Sequence, residues 1–258
     1  MLVRPWYSRL RPPNGFLDAF LQIGMWFAAY YLYRLVRGVV DGQVAESFAH
    51  ARGVVGLERG VGSFFEPGLQ SFLLDHANWL IDAANLSYVN MHLFGTTTFL
   101  LWLYFARNDA FYFVRNMFMV AMGIALIGYV VFPTAPPRFL PEWGFTDTVT
   151  NMVGSEPANT ANVLYNPYAA VPSMHVAFAL MIGFSGAKLV SNRVLKTLFR
   201  GYPLWVTFVT IATANHFWVD AALGACAAAA AYSMAVAAAR TRPEAWAWRR
   251  ALGTEARA

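Results

Sequence analysis

Charge is scarce in this chain. Only 13% of the residues are Asp, Glu, Lys or Arg, 58% are apolar, and the mean hydropathy is +0.42. A soluble globular domain carries about 25% charge, so this composition excludes an ordinary water-soluble fold and predicts life in a bilayer. Cysteine is nearly missing as well: the single Cys226 rules out an internal disulfide and, within an Ala-rich stretch, reads as a small packing residue. No period of 20–50 residues recurs, which argues against a duplicated transporter architecture. The net charge of +5 comes mostly from basic residues flanking apolar runs, so nucleic acid is not an expected partner.

What is present is a series of long apolar runs. About 20 apolar residues suffice for a helix to span a bilayer, and candidates fall near 17–36, 86–106, 113–132, 172–190, 202–216 and 217–239. They predict an all-α polytopic membrane protein, a six-transmembrane-helix bundle forming one domain over 1–258. Within it, 16–85 holds the first helix and an interfacial segment, 86–240 a helix core, and 241–258 a cytoplasmic tail. Arg4, Arg9 and Arg11 precede the first run as they would in a signal peptide, but the run is too long and no small-residue cleavage pattern follows, so a retained helix is expected. Between the first two runs, residues 38–85 are too polar to span and too apolar for a free linker; Val44–Leu57 and Phe64–Leu74 predict helices lying at the interface.

Basic residues set the orientation. With the N-terminus inside, only Arg34, Arg37, Arg52, Arg59 and Arg138 of the 19 Lys and Arg face outward, which supports N-in and C-in in the plasma membrane. The Pro-rich loop 133–171 and the surroundings of His175 and His216 then share the extracytoplasmic side. At nearly forty residues that loop is long for a mere connection and is expected to be an ordered cap over a site.

Three groups in these outward-facing segments carry chemistry. His216 and Asp220 stand four residues apart, one helical turn, so a carboxylate can hold one imidazole nitrogen and leave the other free to attack. His175 follows Pro172-Ser173, where Ser173 is placed as the N-cap of a helix whose free N–H groups and positive dipole end suit an anion. Arg138 ends the stiff run Pro133-Thr134-Ala135-Pro136-Pro137-Arg138, a setting that favours bidentate phosphate recognition. His92 is near enough to the outer end of its helix to line a pocket, Arg115 is expected on the cytoplasmic flank, and His50 and His76 are expected at the surface. His175, His216 and Asp220 are also legitimate zinc ligands, so a metal site stays open at this point.

Pro172-Ser173-Met174-His175, followed by Thr210 to Asp220 with His216 and Asp220 in place, resembles the second and third signatures of the phosphatidic acid phosphatase type 2 superfamily. Pro133 to Arg138, Asn166-Pro167-Tyr168 and Ala214-Asn215-His216 are similar to its branch that includes inositol phosphorylceramide synthase. The resemblance covers about 92–225 and implies a six-helix membrane fold and a reaction needing neither metal nor cofactor. It implies that His216 is the nucleophile forming a phosphohistidine, that Asp220 orients it, and that His175 protonates the leaving alcohol.

Three positions depart from the superfamily pattern. Thr210 stands where the third signature has an arginine, and Val131 and Phe139 replace the lysine and proline that accompany Arg138 in the first. Arg138 is then expected to carry more of the phosphate, helped by Ser173, Asn215 and the helix N-terminus, with His92 and Tyr168 lining the pocket. The expected substrate is a phospholipid or a polyprenyl or other lipid phosphate. The acceptor is water in a phosphatase, or an inositol, sugar or lipid hydroxyl in a phosphotransferase. The competing reading is a catalytically silent membrane protein that binds anionic headgroups. The Ala-, Arg-, Gly- and Val-rich composition suits a GC-rich bacterial genome.

Overall fold

The computed structural model describes residues 12–40, 43–153, 168 and 170–241. The expected cytoplasmic tail, the basic residues at Arg4, Arg9 and Arg11, and Asn166-Pro167 lie outside the described residues. The described chain is helical, in the order α1 (Gly15–Val40), α2 (Val44–Gly60), α3 (Glu66–His76), α4 (Asn78–Asn90), a π-helical turn (Met91–Gly95), α5 (Thr96–Ala106), α6 (Asn108–Val131), α7 (Thr148–Val153), α8 (Met174–Leu189), α9 (Arg193–Ala212) and α10 (Trp218–Thr241).

The helices α6 and α10 are long and apolar enough to cross a membrane; Leu93–Ala106 and Met174–Leu189 are apolar but shorter. Large apolar side chains cover the outside of the bundle, among them Phe20 at 69%, Val131 at 71% and Leu204 at 75% exposure, an arrangement water would penalise and lipid tails accept. Two apolar runs are organised differently from the reading of the sequence. The run 86–106 is interrupted by the π-turn at 91–95, a local widening that recurs at functional sites. The run 202–216 belongs to a helix that begins at Arg193 and stops at Ala212, short of His216.

α8 sits between α9 and α10, and α10 also packs on α6. Small residues make this closeness feasible. A Cβ on Gly183 would stand 2.6 Å from both the Phe199 carbonyl oxygen and Pro203 Cγ, and one on Gly186 would run into the Phe199 ring. The buried face of α10 is Asp220, Ala221, Gly224, Ala227, Ala228, Ala231 and Ala235. That periodicity turns Cys226 outward, so it is exposed rather than the packing residue expected.

α1 docks on α6 through a polar seam. Asp18 Oδ2 accepts from Tyr104 (2.9 Å) and Tyr112 (2.8 Å), and Arg115 donates to Gln22 Oε1 (2.6 Å) and Asn116 Oδ1 (3.0 Å). Arg115 is therefore buried within the bundle, not a solvated flank; Gln22, one turn beyond Asp18 on the facing helix, supplies the acceptor that burial requires.

At the other end, α2, α3 and α4 support the loop after α6. Gln70 exchanges two hydrogen bonds with the Thr146 backbone (3.0 and 2.9 Å), Asn85 and Thr148 exchange two more (3.2 and 2.9 Å), and the Ala135 N–H donates to the Ser47 carbonyl at 3.0 Å. His50 is half-buried here, stacked on Phe132 at 4.0 Å with Nδ1 2.8 Å from the Pro133 carbonyl, whereas an exposed surface position was expected. The described part of the loop is thus an ordered cap.

Candidate active site

The turn joining α9 to α10 is built around buried polar groups. The Thr210 carbonyl accepts from both the Asn215 and His216 N–H groups at 3.0 Å, and Thr213 Oγ1 donates to the Val209 carbonyl at 2.7 Å. Ala214 has φ +52, a left-handed conformation costing a residue with a Cβ about 1–2 kcal/mol, and its carbonyl accepts the Arg138 N–H at 2.8 Å. That bond couples the cap loop to the turn two residues before His216. His216 stands just ahead of α10 rather than within a helix, but the four-residue spacing still works: His216 Nδ1 lies 3.4 Å from Asp220 Oδ2, and that oxygen also accepts the Phe217 N–H at 3.0 Å. Asp220 is completely buried.

His175 arrives from the start of α8. Ser173 is the N-cap, its Oγ accepting the Val176 N–H at 3.5 Å, and its own N–H donates to the Asp220 carbonyl at 3.0 Å. A Cβ on Gly224 would collide with the Ser173 carbonyl oxygen, so backbone meets backbone there. This approach brings the rings of His175 and His216 to 5.6 Å between centroids, tilted by 58°. Tyr88 stacks on His175 at 4.5 Å, and a small cavity beside the pair is lined by Ser87, Tyr88, Met91, Tyr202 and Thr210.

Arg138 stands on the short 3-10 turn Pro137–Phe139 and is 6% exposed. Its Nε lies 3.5 Å from Asp147 Oδ2, and its guanidinium carbon is 4.8 Å from the Phe139 ring centroid. Tyr168 packs against Phe139 and Phe48, at 6.3 and 6.4 Å. The Asn215 amide donates to Thr213 Oγ1 at 2.7 Å, bracing the turn. His92 falls within the π-turn, and its side chain lies outside what the structure describes. Among the described residues, no three His, Cys, Asp or Glu side chains gather closely enough to hold a metal ion.

An additional feature was not anticipated from the sequence. The first free N–H groups of α10 each meet a carboxyl: Phe217 donates to Asp220, Trp218 to Glu66 Oε1 at 3.0 Å, and Val219 to Glu58 Oε1 at 3.3 Å. Glu58 and Glu66 have no exposure at all. Burial first, and then the neighbouring Glu66 carboxylate, push the Glu58 carboxyl up to about 9.

Two imidazoles from distant segments thus face each other, one backed by a buried carboxylate, with an arginine coupled to the same turn. A model of the PAP2 superfamily matches residues 52–234. The chain belongs to the PAP2 superfamily. Comparisons with curated proteins and with solved structures give no significant match. Membership of the PAP2 superfamily suggests phosphatase or phosphotransferase chemistry on phosphate esters, and together with the apolar helices it suggests a membrane protein.

The PAP2 superfamily match starts inside α2 and ends inside α10, so it takes in Glu58 and Glu66 as well as Arg138, His175, His216 and Asp220. Sequence reasoning did not single out Glu58, Glu66, Asp147 or Tyr88. Acids at 58 and 66 sit on different helices with no spacing to mark them. Their one sequence signal is charge retained in a stretch whose neighbours, Val54, Val55 and Leu73, are buried apolar residues.

Proposed function

We propose that this protein is an integral membrane phosphotransferase acting on lipid-linked phosphate esters through a phosphohistidine at His216. The observation that carries the reading is the 5.6 Å approach of the His175 and His216 rings, with Asp220 3.4 Å behind His216. Asp220 holds Nδ1 as the protonated nitrogen, leaving Nε2 with its lone pair for attack. Nε2 attacks phosphorus; the bond from phosphorus to the leaving alcohol oxygen breaks, and His175 gives that oxygen a proton. In the second half, an acceptor hydroxyl loses its proton to His175 and attacks phosphorus, and the phosphorus–nitrogen bond breaks. Arg138 and the N–H groups at the start of α8 offset charge on the non-bridging oxygens.

The charge around the site favours a phosphodiester donor. Arg138 already shares its guanidinium with Asp147, and Asp220 and Glu66 add negative charge nearby. A monoester brings a charge of about −1.5 to −2 at pH 7, a diester only one, so the diester is repelled less by this set. We therefore place the protein with the branch resembling inositol phosphorylceramide synthase, with an inositol, sugar or lipid hydroxyl as acceptor. We further propose six spans, N-in and C-in in a bacterial plasma membrane, with the site facing outward. Its test is incubation of the purified protein with phospholipid labelled at phosphorus, followed by an acid quench and an alkaline quench. Acid-labile, alkali-stable label on wild-type protein, absent from His216→Ala, is expected. Turnover unchanged in His216→Ala would remove the nucleophile, and binding of anionic lipid with no turnover by wild type would leave the silent binder.

A further inference from the structure

We propose that Glu58 and Glu66 form a one-proton carboxyl pair that clamps the start of α10 and thereby positions the His216–Asp220 couple for reaction. They are positioning residues, and their catalytic consequence rests on the reading of His216 as nucleophile.

Hydrogen-bond bookkeeping assigns the proton. Both oxygens of Glu66 already accept a backbone N–H: Oε1 takes that of Trp218 at 3.0 Å and Oε2 that of Phe65 at 2.9 Å. Glu58 is half engaged: Oε1 takes the Val219 N–H at 3.3 Å, while Oε2 is buried and has no partner among the described residues when treated as an acceptor. The two carboxyls hold the N–H groups of adjacent residues, Trp218 and Val219, so they are neighbours at the start of α10. Two carboxylates are both acceptors, so a bond between them needs one proton, and the orphan oxygen of Glu58 is where it sits. Glu66 is then the partner that accepts from it, held in place by two backbone N–H groups, one of them at the start of α10.

Among the described residues, no cation facing Glu58 changes this. The charged groups facing Glu58 are Glu66 from α3 and Asp220 from α10, both acidic. On its own helix, Arg59 points away, its guanidinium 4.1 Å from the Trp143 ring centroid and 5.0 Å from that of Phe64. Loss of the proton would set two carboxylates side by side with Asp220 behind them, and the group holding the Val219 N–H would be repelled from the helix start. Val219 stands between His216 and Asp220, so release of the clamp disturbs their 3.4 Å contact. The proton comes off near pH 9, above the range in which imidazole itself titrates.

The test uses full-length protein in lipid nanodiscs, with Glu58→Gln, Glu58→Ala and Glu66→Gln compared with wild type in two arms. The first is melting temperature against pH from 6 to 10, which needs no substrate. Wild type is expected to lose melting temperature steadily as pH rises from 6 towards about 9, and to level off above it. Glu58→Gln, whose amide keeps an acceptor for Val219 and offers Glu66 a permanent donor, is expected to stay flat there. The second arm is turnover of a phospholipid: Glu58→Ala is expected to lower kcat about 10-fold or more with KM changed less, since misplacement and not lost binding is the cause. Glu58→Gln is expected to restore most of that loss and to remove the alkaline fall of kcat. An alkaline melting profile of Glu58→Gln identical to wild type would overturn the shared proton, and native kcat in Glu58→Ala would overturn the positioning role. Divergent melting profiles with no turnover by any protein would keep the clamp and refute the phosphotransfer reading instead.

Discussion

Replacing Gly224 by Ala tests whether main-chain contact sets the spacing of the two histidines. The added Cβ would collide with the Ser173 carbonyl oxygen, with the Ser173 carbonyl carbon at 3.2 Å and its Cβ at 3.4 Å just behind. That oxygen cannot swing aside, because it accepts the Ala177 N–H at 3.1 Å in the first turn of α8. Relief therefore requires α10 to back away from α8 by roughly 1 Å, which stretches the Ser173 to Asp220 backbone bond and moves His216 from His175. Overpacking of this kind costs about 1–3 kcal/mol, and a displacement of about 1 Å at reacting groups costs about 10²-fold in rate. Gly123→Ala is the control: α6 has nothing within 4 Å of a Cβ there, so stability and rate are expected to hold or improve slightly. Turnover of phospholipid in nanodiscs and melting by tryptophan fluorescence read both effects. Gly224→Ala that melts and turns over like Gly123→Ala would refute the reasoning.

Other outcomes follow from the same geometry. Asp220→Asn should keep the fold, since an amide oxygen can still accept the Phe217 N–H, yet lower kcat by about 10²–10⁴-fold through the wrong histidine tautomer, checked by steady-state kinetics. Arg138→Lys should lower kcat/KM about 10- to 100-fold, because a lysine cannot both hold Asp147 and present a planar fork to phosphate; the loss should be greater for a phosphomonoester than for a diester. For Glu58 the sign of the pH effect is fixed: the folded protein keeps a proton up to about pH 9 that an ordinary glutamate near 4.5 has released. Stability is fully present below that lower value and falls as pH rises through the window, by at most about 1.4 kcal/mol per pH unit; denaturant midpoints at pH 6 and pH 9 measure it.

Apolar run length and motif spacing made the helices and the histidine pair legible before any coordinates. Ser173 followed by an apolar run located the start of α8, and the His216–Asp220 spacing anticipated their contact even though the helix begins two residues after His216. What stayed hidden depends on tertiary partners. Nothing near Arg115 in the sequence announces Gln22, and nothing near Arg138 announces that Asp147 will stand 3.5 Å away. Cys226 was misplaced because an Ala-rich helix looks the same on every side until its neighbour selects a face.

The bond from the Ser173 N–H to the Asp220 carbonyl joins the segment carrying His175 to the one carrying His216 without any side chain. Side-chain exchanges on the exposed apolar surface leave that bond alone. Exchanges of that kind are therefore expected to alter the outer coat while the gap between the two imidazoles stays the same.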